Sequence, residues 1–88
     1  MNKIVASVKI FPEDIVISKE DLKEAIKRAI PESGALYRID EEPIAFGLVA
    51  LVARIAMPEA EGQMDKVEEA LKSVENVGEI QVVNVWRT

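Results

Sequence analysis

The chain contains no cysteine and no histidine. Without cysteine there is no disulfide, no thiol nucleophile and no thiolate metal site. Without histidine the commonest general base and the commonest transition-metal ligand are missing as well. No apolar run reaches the roughly 20 residues that a membrane-spanning helix requires. The opening stretch MNKIVASVKIFPED has a lysine ahead of its apolar residues. Those residues alternate with polar ones, which makes a poor signal peptide. A cytoplasmic location with no membrane partner is the expectation.

What is present is a folded-domain composition: 49% hydrophobic and 31% charged residues. The 88 residues suffice for one domain, spanning 1–88, with a modest core. The net charge is −5. Such a surface repels phosphate backbones, so direct nucleic-acid binding is not expected. It suits a protein that meets a basic surface on a partner.

The order of elements follows from periodicity. Residues 3–11, KIVASVKIF, alternate, with Ile4, Ala6, Val8 and Ile10 on one face of a strand and Val5, Ser7, Lys9 and Phe11 on the other. Pro12 then opens a loop. Ser18 has the character of a helix N-cap, with Asp21 three residues on. Leu22, Ala25, Ile26, Ala29 and Ile30 follow at helical spacing, and Pro31 stops the helix. A second strand spans Ala35 to Glu42, with Tyr37 and Ile39 opposed to Arg38, Asp40 and Glu42. Its charge density fits a sheet edge.

The third strand is expected over Ile44 to Met57, apolar on both faces for much of its length and hence central. Val49, Leu51, Ala53 and Ile55 share one face. Phe46, Leu48, Ala50, Val52 and Arg54 share the other, and Arg54 marks that face as open. A second helix carries Met64, Val67, Leu71 and Val74 inward. Asn76 and Gly78 end it, with Gly78 expected in a left-handed conformation. The last strand covers Glu79 to Trp86; its alternation leaves open which face is buried. Strand, helix, strand, strand, helix, strand defines an α+β, ferredoxin-like βαββαβ sandwich. Its four antiparallel strands take the order 4-1-3-2, and both helices lie on one face.

This fold hosts many activities, so sites decide. An acylphosphatase-like enzyme needs a glycine-rich loop with an arginine after the first strand, and FPEDIVIS offers neither. An RNA-recognition module needs aromatics inside the first and third strands, whereas Phe11 and Phe46 sit only at strand ends. Glu41 and Glu42 are adjacent on a strand and point apart, so they share neither a proton nor an ion. The Met64 to Val74 stripe reads as core, and Arg54 as a solvated charge. No residue set names a metal or a cofactor.

Phe46 and Arg87 stand out. Taken alone, Phe46 reads as a packing residue at the mouth of the sheet and Arg87 as a frayed terminal charge. The third strand's start and the fourth strand's finish are expected at one end of the sheet, with a single strand between them, about 10 Å apart. Phe46, Arg87 and the neighbouring Trp86 would then form one docking surface.

PIAFGLVAL at 43–51, FPED at 11–14 and the strand-helix pattern as a whole resemble archaeal elongation factor 1-beta and the C-terminal exchange domain of its eukaryotic counterparts. The resemblance implies a guanine nucleotide exchange factor with no bond-making chemistry and no cofactor. The implied partner is the GDP-bound elongation factor 1-alpha GTPase. It also implies that Phe46, with Gly47, contacts the GTPase away from its nucleotide domain. Arg87 stands nearest to a lysine that in eukaryotic relatives reaches the magnesium and phosphate site. A reading from another class is a ferredoxin-like ligand-sensing or oligomerisation module with no exchange activity.

Overall fold

A computed structural model describes residues 2–87. In chain order it forms β1 (Lys3–Pro12), α1 (Lys19–Ala29), β2 (Ala35–Pro43), β3 (Val49–Pro58), α2 (Gln63–Lys72) and β4 (Val77–Arg87). The four strands make one antiparallel sheet in the order β2-β3-β1-β4, the ferredoxin-like arrangement expected from the sequence.

The core lies between the sheet and the two helices. β1 contributes Ala6, Val8 and Ile10, and β3 contributes Leu51, Ala53, Ile55 and Met57. The period of two puts each of these sets on one face. Above them, Leu22 and Ile26 descend from α1, and Val67 and Leu71 from α2, each pair four residues apart on one helix face. Each of the larger buried side chains contributes about 1.5–3 kcal/mol relative to exposure. On the open face, Arg54 is exposed between Ser7 and Arg38.

α1 begins as its sequence indicates. The Ser18 hydroxyl accepts a hydrogen bond from the Asp21 N–H at 3.3 Å. At its other end Ile30 is extended, which suits a residue that precedes proline.

Several local expectations are corrected. The β2–β3 register shifts between Leu36 and Arg38, so Tyr37 is an extra residue and points out, while Leu36 and Ile39 pack on the core. A second shift in the β1–β4 register, between Ser7 and Val8, falls at Val83. It lets Val82 and Val85 both lie on the helix side, opposite Val8 and Ala6, while Trp86 takes the open side opposite Val5. That is why simple alternation did not assign a buried face to β4. Asn76, not Gly78, adopts the left-handed conformation after α2, with φ of 74°, and Gly78 lies inside β4. Pro12 is still within β1, opposite Val77.

α1 is fastened to the β2 edge by charge. Glu41 accepts from Lys23 at 2.8 Å and from Lys19 at 3.3 Å. The Lys23 bond, then the Lys19 bond, hold the Glu41 carboxyl below its ordinary value of 4.5. The Glu41 bond holds the Lys23 ammonium above its ordinary 10.5. The signs follow. A lowered carboxylate pKa contributes stability that is present above 4.5 and is lost as the pH falls through the folded-state value. A raised lysine pKa contributes stability that is present below 10.5 and is lost as the pH rises beyond it. The melting temperature of Glu41→Gln should therefore lie below that of the wild type at neutral pH, with the gap closing on acidification. Thermal melts from neutral pH to about pH 3 check this; a gap of constant size down to that pH would contradict it.

Candidate functional site

The strand directions separate the residues that the sequence grouped. β3 and β4 both pair antiparallel with β1 and therefore run parallel to each other. The start of one and the finish of the other lie at opposite ends of the sheet. Leu51 stands opposite Ile10, whereas Arg87 stands opposite Ile4. Those rows are six β1 residues apart, about 20 Å at a strand's rise, and Phe46 lies beyond the first of them. The expected single surface of Phe46, Arg87 and Trp86 does not form. Phe46 and Gly47 occupy one end, and Trp86 and Arg87 the other, of a body 42 Å long and 20 Å wide.

Phe46 and Gly47 are not the entrance of β3, as expected, but the turn that precedes it. Ile44 donates its N–H to the Leu48 carbonyl at 2.9 Å, and Leu48 donates to the Ala45 carbonyl at 2.9 Å. Between them Phe46 has φ of 54° and Gly47 φ of 81°. Positive φ at both central positions is the signature of a type I′ turn, whose twist matches that of the flanking strands. Asn-Gly is the usual occupant. Glycine at 47 is required by conformation; a Cβ there would meet nothing within 4 Å. Phenylalanine at 46 is strained, because a bulky side chain disfavours the left-handed region by about 1–3 kcal/mol. It gains nothing from packing in return, since Phe46 is 97% exposed. An apolar ring held in a costly backbone conformation and facing water is the strongest local conflict in the chain.

Phe46 is not alone at that end. Ile44 in the same turn is exposed, as are Ile15 and Val16 in the β1–α1 loop. Sequence reasoning passed over Ile15 and Val16 as loop residues. The signal was there in PEDIVI, where apolar side chains follow two acids outside any periodic element.

At the opposite end, adjacent residues of β4 point to opposite faces. Trp86 lies over the open face beside Val5 and is 37% exposed. Arg87 lies on the helix side, where its Nε donates to Glu59 Oε2 at 2.5 Å. Glu59, in the β3–α2 loop, had no counterpart in the sequence reading. The Arg87 side chain is 75% exposed, so this pair sits in a high-dielectric setting and is readily exchanged for another anion. The arrangement places an exposed cation at one end of the sheet and an exposed aromatic at the other. Among the described residues, no group of three or more acidic side chains is placed to hold a metal ion, and no helix is long and apolar enough to cross a membrane.

The chain is a ferredoxin-like domain with exposed side chains at both ends of its sheet. Comparison with known sequences narrows the class. Residues 5–88 match the family described as the EF-1 guanine nucleotide exchange domain. Elongation factor 1-beta of Methanothermobacter thermautotrophicus is 45% identical over 87 residues, covering 99% of this chain and 98% of that one. Its namesake in Sulfolobus acidocaldarius is 45% identical over 85 residues, covering 96% and 94%. The chain belongs to the elongation factor 1-beta family, a group of translation factors that carry this exchange domain. Among solved structures, the C-terminal domain of the MgtC protein from Mycobacterium tuberculosis superposes with a TM-score of 0.59 at 12% identity, over 100% of this chain and 88% of that one. That likeness shows the fold alone.

The strain at Phe46 is testable without a partner. Phe46→Asn, which keeps the turn but tolerates the left-handed conformation, should stabilise the protein by about 1 kcal/mol, or several degrees in melting temperature. A melting temperature equal to or below that of the wild type would contradict the strained-turn assignment.

Proposed function

We propose that the protein binds the GDP-bound form of elongation factor 1-alpha and accelerates loss of GDP, after which GTP takes the vacant site. Membership in the exchange-domain family over residues 5–88 is the observation that carries this reading. The geometry supports it. Phe46 and Gly47 are free to meet the GTPase at one end, and Arg87 is free to meet it at the other. The distance between the two ends suits contacts with two separate regions of one partner, one of them remote from the nucleotide.

GDP is held in such GTPases largely through its phosphates and the Mg²⁺ that bridges them to the protein. A guanidinium brought toward that site competes with Mg²⁺ and loosens the ordered switch segments. Arg87 would act there by leaving Glu59. Its planar fork differs from a lysine's point charge and binds phosphate oxygens in pairs. Linkage then requires nucleotide to weaken binding of the factor by the same equilibrium ratio by which the factor weakens binding of nucleotide. No covalent bond is made or broken, so the acceleration is a lowered barrier to dissociation. The reading places the protein with the translation machinery in the cytoplasm and invokes no direct nucleic-acid contact, in keeping with the net charge of −5.

Release of a fluorescent GDP analogue from archaeal elongation factor 1-alpha tests this. The wild type should accelerate release. Arg87→Ala should lower the saturating rate by about tenfold or more, and Phe46→Ala should raise the concentration needed for half the effect. Acceleration by both variants identical to that of the wild type would overturn the roles given to these residues. No acceleration by the wild type would overturn the function.

A further inference from the structure

The end of the molecule that carries Phe46 has a second feature that neither the family match nor the resemblance assigns. Beneath the β2–β3 turn lies a cavity of about 250 Å³. Its lining mixes polar groups with apolar side chains: Pro12 and Ile17 on one side, Leu22 from α1, and Val49 and Leu51 from β3. Asp14, Ile15, Lys19 and Gly47 border it. The space exceeds that of an aliphatic side chain.

The loop on the far side of the cavity is built rather than loose. Asp14 accepts from the Ile17 N–H at its carbonyl and from the Val16 N–H at Oδ1, both at 3.4 Å. Glu13 donates its N–H to the Asn76 carbonyl at 2.9 Å, which ties this loop to the turn before β4. Ile17 packs against the core. Ile15 and Val16, in the turn that precedes it, face water at 60% and 83% exposure. Ile44 and Phe46, exposed in the β2–β3 turn, add apolar surface at the same end, where Ile15 and Gly47 border the cavity. Large exposed apolar side chains beside a concavity are the anatomy of an interface centre.

The surrounding charge narrows the occupant. Three lysines at this end are each engaged with an acid: Lys9 with Glu42, Lys19 with Glu41, and Lys23 with Glu41 and Glu20. Glu13 and Asp14 sit in the loop itself. A surface that docks here favourably presents an apolar side chain encircled by basic ones.

We propose that the β1–α1 loop and the β2–β3 turn form one docking surface for the GTPase. Phe46 projects into the partner, the partner inserts an apolar side chain into the cavity beneath Gly47, and basic partner side chains meet Glu13 and Asp14. This rests on the exchange-factor reading. The contact is then a plug and a socket side by side, with Ile15 and Val16 closing the rim against water.

Titration of GDP-loaded archaeal elongation factor 1-alpha with the full chain tests this. Val16→Asp and the milder Ile15→Ser should each weaken binding about tenfold or more, with saturating GDP release and melting temperature near those of the wild type. Val83→Asp, at an exposed β4 position outside this surface, should bind as the wild type does. Combined with Phe46→Ala, Val16→Asp should show a combined loss different from the sum of the single losses, as side chains sharing one contact do. Two folded loop variants that bind as tightly as the wild type, while Phe46→Ala binds weakly, would overturn the proposal and leave the exchange reading standing. A wild type that neither binds nor accelerates release would overturn both, and that result is read before any variant is compared.

Discussion

Both ends of this molecule depend on the pairing of β1 along its two edges. β1 bonds to β3 on one side and to β4 on the other, antiparallel in both cases. Those ladders bury Ala6, Val8 and Ile10 and fix the register of the inward-facing residues of β1, β3 and β4, because a slip of one residue would turn each apolar side chain toward water. They also fix direction. Two strands antiparallel to the same central strand run parallel to each other, so the β3 entrance and the β4 exit are held at opposite ends. The separation of Phe46 from Arg87 is thus a consequence of topology and does not depend on any local contact.

The two ends differ in how they are held. Arg87 ends a sheet-edge strand, and its largely exposed side chain pairs with the half-buried carboxylate of Glu59, a contact that high-dielectric surroundings keep weak. Phe46 is the reverse. Two backbone hydrogen bonds fix its turn, its backbone is strained, and its ring has no place to pack. Order at the aromatic end and freedom at the cationic end suit a body that docks through one contact and acts through the other. On the proposed reading, the rigid contact would bind with little loss of conformational entropy, and the exposed cation would be available to an anion.

The sequence was most informative where one physical period ran without interruption. The inward faces of β1 and β3, the Ser18 cap, the Pro31 stop and the α1 and α2 stripes could all be read, because each depends on spacing or on one residue's chemistry. Three features were not legible. The shifts at Tyr37 and Val83 each insert one residue, and alternation carries no mark of where a bulge falls. The Phe46-Gly47 turn was hidden because Ile44, Ala45, Phe46 and Leu48 are as apolar as the strand after them; Gly47, second of the two central residues, was the only local sign of a hairpin. The placement of Arg87 was a matter of strand direction. The strand order, correctly expected, already contained the answer, since it made both neighbours of the central strand antiparallel to it.

The central claim is that one rigid sheet holds two contacts far enough apart to reach separate regions of the GTPase. A photo-reactive side chain placed at position 46 in one preparation and at position 87 in another, each cross-linked to GDP-loaded elongation factor 1-alpha, tests it most directly. The account predicts adducts in two different domains of the GTPase, with only the position-87 adduct lying at the nucleotide site. Adducts from both positions within one contiguous segment would contradict it.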